Sequence, residues 1–142
     1  MSSEIYKTLY CSRNMIGGQP WQRESEIQQI LQVARENNRK QDVTGALLFN
    51  AGYFAQVLEG PRSEVERIFE KIQRDMRHGD VVVLENGYAQ GRDFSEWSMA
   101  YVCPHSDHAA TEVALLLNDA WSNPAAGAEV LELLRNLVTP QE

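Results

Sequence analysis

Apolar positions in this chain switch between a period of two and a period near four, and the order of the switches predicts the elements. Ile5 to Cys11 alternates as a first strand, followed by a turn-rich stretch with Gly17, Gly18 and Pro20. Ser25 and Gln28 have capping-box spacing, and Ile27, Ile30, Leu31 and Ala34 make one helical stripe that ends at Asn37 and Asn38. Val43 to Phe49 and Tyr53 to Glu59 read as the arms of a hairpin around Asn50-Ala51-Gly52, and Gly60-Pro61 stops the second arm. Ser63 and Glu66 suggest another capping box, opening a helix with the stripe Val65, Ile68, Phe69, Ile72 and Met76 and closing at Asp75, Arg77 and His78. Val81 to Glu85 and Trp97 to Val102 complete the strands.

The order βαββαββ predicts an α+β sandwich, a ferredoxin-like fold with a five-stranded mixed sheet. Strands one and three are expected side by side and parallel at its centre, which makes Tyr10 and Gln56 neighbours. Ala55 and Val57 oppose Phe54 and Leu58 across the third strand, so both sheet faces need a cover. The tail can supply the second. Val113, Leu116, Leu117, Ala120 and Trp121 form one amphipathic stripe, and Val130, Leu131, Leu134, Leu137 and Val138 another after Asn123-Pro124, predicting two C-terminal helices on the face opposite the first pair. Residues 1–103 then form the main domain and 104–142 a helical extension of the same globular unit.

A length of 142 residues with 43% hydrophobic positions permits one domain with a real core and no second domain. The formal charge of −7, with no Lys/Arg run, argues against nucleic acid or an anionic membrane as partner. Cys11 and Cys103 have no paired spacing, and the first twenty residues hold no long apolar stretch, so a cytoplasmic location is expected, without disulfides or a signal peptide. Oligomerisation with copies of itself through the sheet or the tail is expected. His105-x-x-His108 has metal-like spacing but no evident third ligand, and no metal site is expected. No triad order, phosphate loop or carboxylate pair suggests an enzyme.

Gln56 is the position that points to function. It shares a strand face with Phe54 and Leu58, and burying an amide there without partners costs ~1–3 kcal/mol. Something polar must lie above it. If the first two helices pack side by side, Ile30, Ala34, Asn37 and Asn38 face Ile72, Asp75 and Arg77 across a slot that is apolar below and polar at its rim. A flat heteroaromatic ligand suits such a slot: two isoleucines can sandwich its faces while amides and a guanidinium meet its ring-edge carbonyls and nitrogens. Gln56 and Tyr10 would meet its edge. Taken singly these residues read as a helix cap, a surface pair, a core amide and a buried phenol; their convergence carries the reading.

The set resembles the BLUF family of flavin-based blue-light sensors, in its short stand-alone form. The resemblance runs from about Ile5 to Val102 and rests on Tyr10-x-Ser12, Ala34-Arg35-x-Asn37-Asn38, Thr44-Gly45-Ala46-Leu47-Leu48, Phe54-x-Gln56-Val57-Leu58-Glu59-Gly60, Asp75-x-Arg77-His78 and Phe94-x-x-Trp97-Ser98-Met99. It implies a non-covalently bound flavin between the two helices, with Asn38 and Arg77 on its polar edge, Asn37 and Asp75 supporting that rim, Ile30 and Ile72 flanking the ring, and Tyr10 and Gln56 as the photochemical pair. FAD is the first expectation, with FMN and riboflavin as alternatives; Lys71 stands near the phosphate end where the family often has Arg, and without the bidentate fork that position does not choose among them.

The resemblance implies a blue-light photoreceptor in which an electron and a proton leave Tyr10 for the excited flavin, with Gln56 as relay, and return. The amide is left rotated or tautomerised, and a stronger hydrogen bond to a flavin carbonyl shifts absorption to the red. Trp97 and Met99, on one face of the last strand by alternation, are the expected signal output, and the tail helices would convey the change to a downstream partner protein. The rivals are a light-insensitive ferredoxin-like module for small-ligand binding or subunit assembly, and a flavin oxidoreductase, which would need a substrate cavity and hydride access.

Overall fold

A computed structural model describes residues 5–50, 53–75, 78–95, 97–102 and 107–138. Four strands, β1 (Ile5–Asn14), β2 (Thr44–Asn50), β3 (Tyr53–Gly60) and β4 (His78–Ala89), pair antiparallel, and the three-residue β5 (Ala100–Val102) joins β2 in parallel. The order across the sheet is β4-β1-β3-β2-β5. Helices α1 (Pro20–Lys40) and α2 (Arg62–Arg74) lie on one face. Helices α3 (Asp107–Ser122) and α4 (Gly127–Val138), joined through a 3-10 turn at 124–126, cover the other.

The central pair is β1 and β3, and Tyr10 lies directly opposite Gln56, but the two strands run antiparallel. The parallel expectation fails because α1 is a crossover that returns β2 in the direction of β1. β3 is the hairpin partner of β2 and is threaded between them, so it opposes both. Gly45 in β2 is needed for this pairing, since an added Cβ would overlap the carbonyl oxygen of Val57.

Alternation along the strands sorts the core in two. Leu9, Cys11, Ala46, Leu48, Ala55 and Val57 pack with Val113, Leu117, Val130 and Leu134 of the tail helices, and Leu47, Phe54 and Leu58 pack with Ile27, Leu31 and Val65 of α1 and α2. Trp121, Leu137 and Val138 fall outside the described side chains.

Several element ends depart from the periodicity. α1 begins at Pro20 rather than near Ser25, because Pro fits the first helical position and the Gln22 side chain accepts the Gln19 backbone N–H at 2.7 Å. It continues past Asn38 to Lys40, and the following Asp42 turns left-handed with φ 60. α2 is capped by Pro61 with no side-chain cap, so the Ser63 box is not formed. β4 is longer than Val81 to Glu85, and β5 is shorter than Trp97 to Val102, which leaves Trp97 and Met99 outside any strand. Among the described residues no helix is long and apolar enough to cross a membrane.

Candidate functional site

A cavity of about 300 Å³ opens between α1 and α2 above the centre of the sheet. Ile30, Ala34, Asn37, Asn38 and Gln41 line one wall, Ile68, Lys71, Ile72 and Asp75 the other, and Leu47 and Gln56 the floor. The walls follow from helical spacing: positions separated by three or four residues stack on one face, so each helix offers isoleucine first and polar groups toward its C-terminal end. Ile30, Asn37, Asn38, Gln56, Lys71, Ile72 and Asp75 are thus brought together around one space. Arg77 lies outside the described residues.

Beneath the floor, Tyr10 is fully buried and its hydroxyl donates to Oε1 of Gln56. The Gln56 amide nitrogen donates in turn to Sδ of Met99 at 3.4 Å. Phe69 of α2 holds the phenol ring from the side, its centroid 5.2 Å away at a tilt of 47°. Burial, with the Asp75 carboxylate as a second cause, pushes the Tyr10 phenol well above its ordinary range, so it is a neutral donor throughout physiological pH.

Met99 and Trp97 do not share a face. Met99 is 1% exposed and reaches Gln56, whereas Trp97 is 40% exposed. Their segment is held by its backbone: Asn38 Nδ2 donates to the Ser98 carbonyl at 2.7 Å, Arg35 Nε to the Met99 carbonyl at 3.0 Å, and the Gly45 N–H to the Trp97 carbonyl at 3.1 Å. Asn38 thus lines the cavity and ties α1 to the residues just before β5.

A second constellation was not evident from the sequence, where Glu59 reads as a strand terminus. Glu59 is fully buried on the α3/α4 face and accepts the backbone N–H of Asp93 at 2.6 Å, that of Phe94 at 3.0 Å and the Thr44 hydroxyl at 3.0 Å. Lys7 lies 3.4 Å from the same carboxylate and also pairs with Asp93, which Arg135 of α4 holds at 3.1 Å. Partial burial would raise the Asp93 carboxyl, but hydrogen bonds and charge from Arg135 and Lys7 outweigh it and hold the group below the usual carboxylate range. Its contribution to stability is therefore complete above the unfolded value of about 4 and is lost as pH falls through the lowered folded value. Asp93→Asn is expected to flatten the acid limb of stability in urea midpoints measured from pH 6 downward; an unchanged slope would remove Asp93 from that role.

Cys11 sits on the face away from the cavity as a small buried hydrophobe, its thiol pushed up to about 11 by burial. His105 and Cys103 lie outside the described residues, as does the side chain of His108.

The lining suits a flavin. It is apolar at Ile30, Ile68 and Ile72 and carries amides at Asn37, Asn38, Gln41 and Gln56 together with the Lys71 ammonium. The carboxamide oxygen of Gln41 is buried with no donor among the described residues. Residues 5–100 match the model of a family described as BLUF, sensors of blue light using FAD. The chain belongs to the BLUF family. Among its relatives is the blue light- and temperature-regulated antirepressor BluF of Escherichia coli K12, 40% identical over 74 residues that make up 52% of this chain and 18% of that protein. The chain therefore spans less than a fifth of that relative. Among solved structures, the dark state of the BLUF protein BlrB superposes with a TM-score of 0.73 at 28% identity, over 96% of each chain. The photo-activated state of BlsA does so with a TM-score of 0.76 at 26% identity, over 97% of each. Like the other members, this protein is a sensor of blue light that uses a flavin.

Proposed function

We propose that this chain works as a photoreceptor through the buried series Tyr10–Gln56–Met99 and passes its signal to another protein. The observation that carries the reading is the Gln56 amide, which spends its oxygen on Tyr10 and its nitrogen on Met99 while standing in the cavity floor. Bound flavin supplies the absorption of blue light and, once excited, the acceptor for an electron. Tyr10 is the donor, and its proton moves along the hydrogen bond to Gln56, because a phenol buried this deeply cannot release charge without it. When the electron and proton return, the Gln56 amide is left with its donor and acceptor ends exchanged.

That exchange has a mechanical consequence. With oxygen in place of nitrogen, Gln56 would present an acceptor to the thioether sulfur of Met99, and two acceptors do not hold each other. Met99 is released, and with it the backbone tied to Arg35 and Asn38. Trp97, already at the surface, can enter the vacated place. β5, as the fifth strand of the sheet, lies next in the chain and against α4, so residues 104–142 are the element that conveys the change outward. The states differ by a modest shift in population between two packings.

Within the site, Ile30 and Ile72 flank the ring, Asn37, Asn38, Asp75 and Arg77 serve its polar edge, and Lys71 serves the phosphate end. A lysine there keeps the charge but lacks the two-pronged geometry of arginine, so the phosphate end does not decide among FAD, FMN and riboflavin, and FAD comes first only on the family's description. Absorption spectra of the purified protein in the dark, after blue light and through recovery test the reading. A yellow protein with a small reversible red shift supports it; a colourless protein that takes up no added flavin overturns it. Tyr10→Phe is expected to keep flavin and lose the photocycle, because Phe fills the space against Phe69 but has no proton to send to Gln56. Full cycling in that variant would eliminate Tyr10 as the donor.

A further inference from the structure

We infer that Arg92 is a positioning residue of the photocycle: it fastens the chain ahead of Met99 to the turn that ends α1, and so sets how fast the lit state returns to the dark state. The inference rests on the photocycle proposed above. Nη1 of Arg92 donates to the Thr44 hydroxyl at 2.9 Å and to the Glu59 carbonyl at 3.1 Å. Nη2 donates to the Asp42 carbonyl at 2.8 Å and pairs with the Asp42 carboxylate at 3.1 Å. The turn after α1, the start of β2 and the end of β3 thus meet at one guanidinium, which uses both prongs of its fork.

Asp42 belongs to the same turn as Asn38, because the Val43 N–H donates to the Asn38 carbonyl at 2.9 Å. Asn38 holds the Ser98 carbonyl in turn. Residues 92 to 98 are therefore bound at both ends to one piece of backbone, at Arg92 through Asp42 and at Ser98 through Asn38. The two fastenings respond differently to light. Exchange of the Gln56 amide releases Met99 and the backbone tied to Arg35 and Asn38, but it removes no partner of Arg92. In the lit state the front end is still held by Arg92 and by the Glu59 carboxylate on the Asp93 and Phe94 N–H groups, so Met99 stays on a short tether. Without Arg92 the released chain has more conformations to lose before Met99 can return. The dark state gains little of that freedom, since Asn38, Arg35 and Gly45 hold the segment directly. Loss of Arg92 therefore favours the lit state.

The test follows the recovery of absorbance in the dark after blue light, well below each protein's melting temperature, in wild type, Arg92→Ala and Arg92→Lys. Arg62→Ala is the control for loss of an arginine elsewhere, since Arg62 packs on Tyr6 and Tyr88 and pairs with Glu66. Arg92→Ala should show the wild-type red shift and recover ~10-fold more slowly, the factor that the backbone freedom of one residue brings. Arg92→Lys keeps the charge but not the span from Asp42 to Thr44, and should recover at a rate between the two. Arg62→Ala should recover as wild type does. Recovery at the wild-type rate in both Arg92 variants overturns the inference even if their melting temperatures fall, and so does equal slowing in Arg62→Ala. If Arg92→Ala does not fold, Arg92→Lys decides alone. A wild type without a reversible red shift would overturn the photocycle itself and this inference with it.

Discussion

Gln56→Leu is expected to keep bound flavin and lose the red shift entirely. Leucine nearly matches glutamine in size, and its neighbours on that sheet face, Phe54, Leu58 and the opposite Leu47, are apolar, so the floor of the cavity keeps its shape. What disappears is the amide that accepts from Tyr10 and donates to Met99. The stability cost is ~1–3 kcal/mol, because the buried Tyr10 hydroxyl loses this acceptor. Flavin affinity should change little, because the walls at Ile30, Asn37 and Ile72 are untouched. Light-minus-dark difference spectra of the two proteins, matched for flavin content, make the comparison. A red shift of wild-type size in the variant would take Gln56 out of the mechanism, and loss of flavin would show that the amide's main work is binding.

The residues that define this mechanism were visible in the sequence because each sits in a strongly periodic element. Period-two alternation put Gln56 on the face of Phe54 and Leu58, and period-four stripes put Ile30 opposite Ile72. Alternation does not give strand direction, being the same read either way; the antiparallel run of β1 against β3 follows from combining the α1 crossover with the β2–β3 hairpin, both of which were legible, and that step was not taken. The start of α1 was missed because its first turn, from Trp21 to Arg23, carries no buried stripe to announce a helix. The shared face assigned to Trp97 and Met99 failed for a related reason. Alternation applies only within a strand, and the backbone there is held by Asn38, Arg35 and Gly45 instead of by ladder pairing. Glu59 left no local signal at all, since its partners Asp93 and Phe94 lie 34 and 35 positions further along the chain.

Those distant partners make Glu59 the position where a single substitution should cost the most stability. Glu59→Ala is expected to lower the unfolding free energy by ~3–5 kcal/mol, the range for removing one member of a buried, hydrogen-bonded charge cluster. Two backbone N–H groups, of Asp93 and Phe94, lose their acceptor, the Thr44 hydroxyl loses its own, and the nearly buried Lys7 is left with Asp93 alone. Arg92 does not compensate, because it binds the Glu59 carbonyl, Thr44 and Asp42 and never the Glu59 carboxylate. Glu59→Gln should fall between the two proteins, since one amide oxygen can still accept while the NH2 group meets a donor where an acceptor stood. Urea unfolding of the three proteins measures the series, and Glu59→Ala within ~1 kcal/mol of wild type would mean that water replaces the carboxylate. The same carboxylate anchors the chain entering the Trp97–Met99 segment, only three residues along β3 from Gln56. Loosening it should leave the Tyr10–Gln56 pair and the red shift intact while freeing the segment that Met99 pins, which separates the optical response from the structural one.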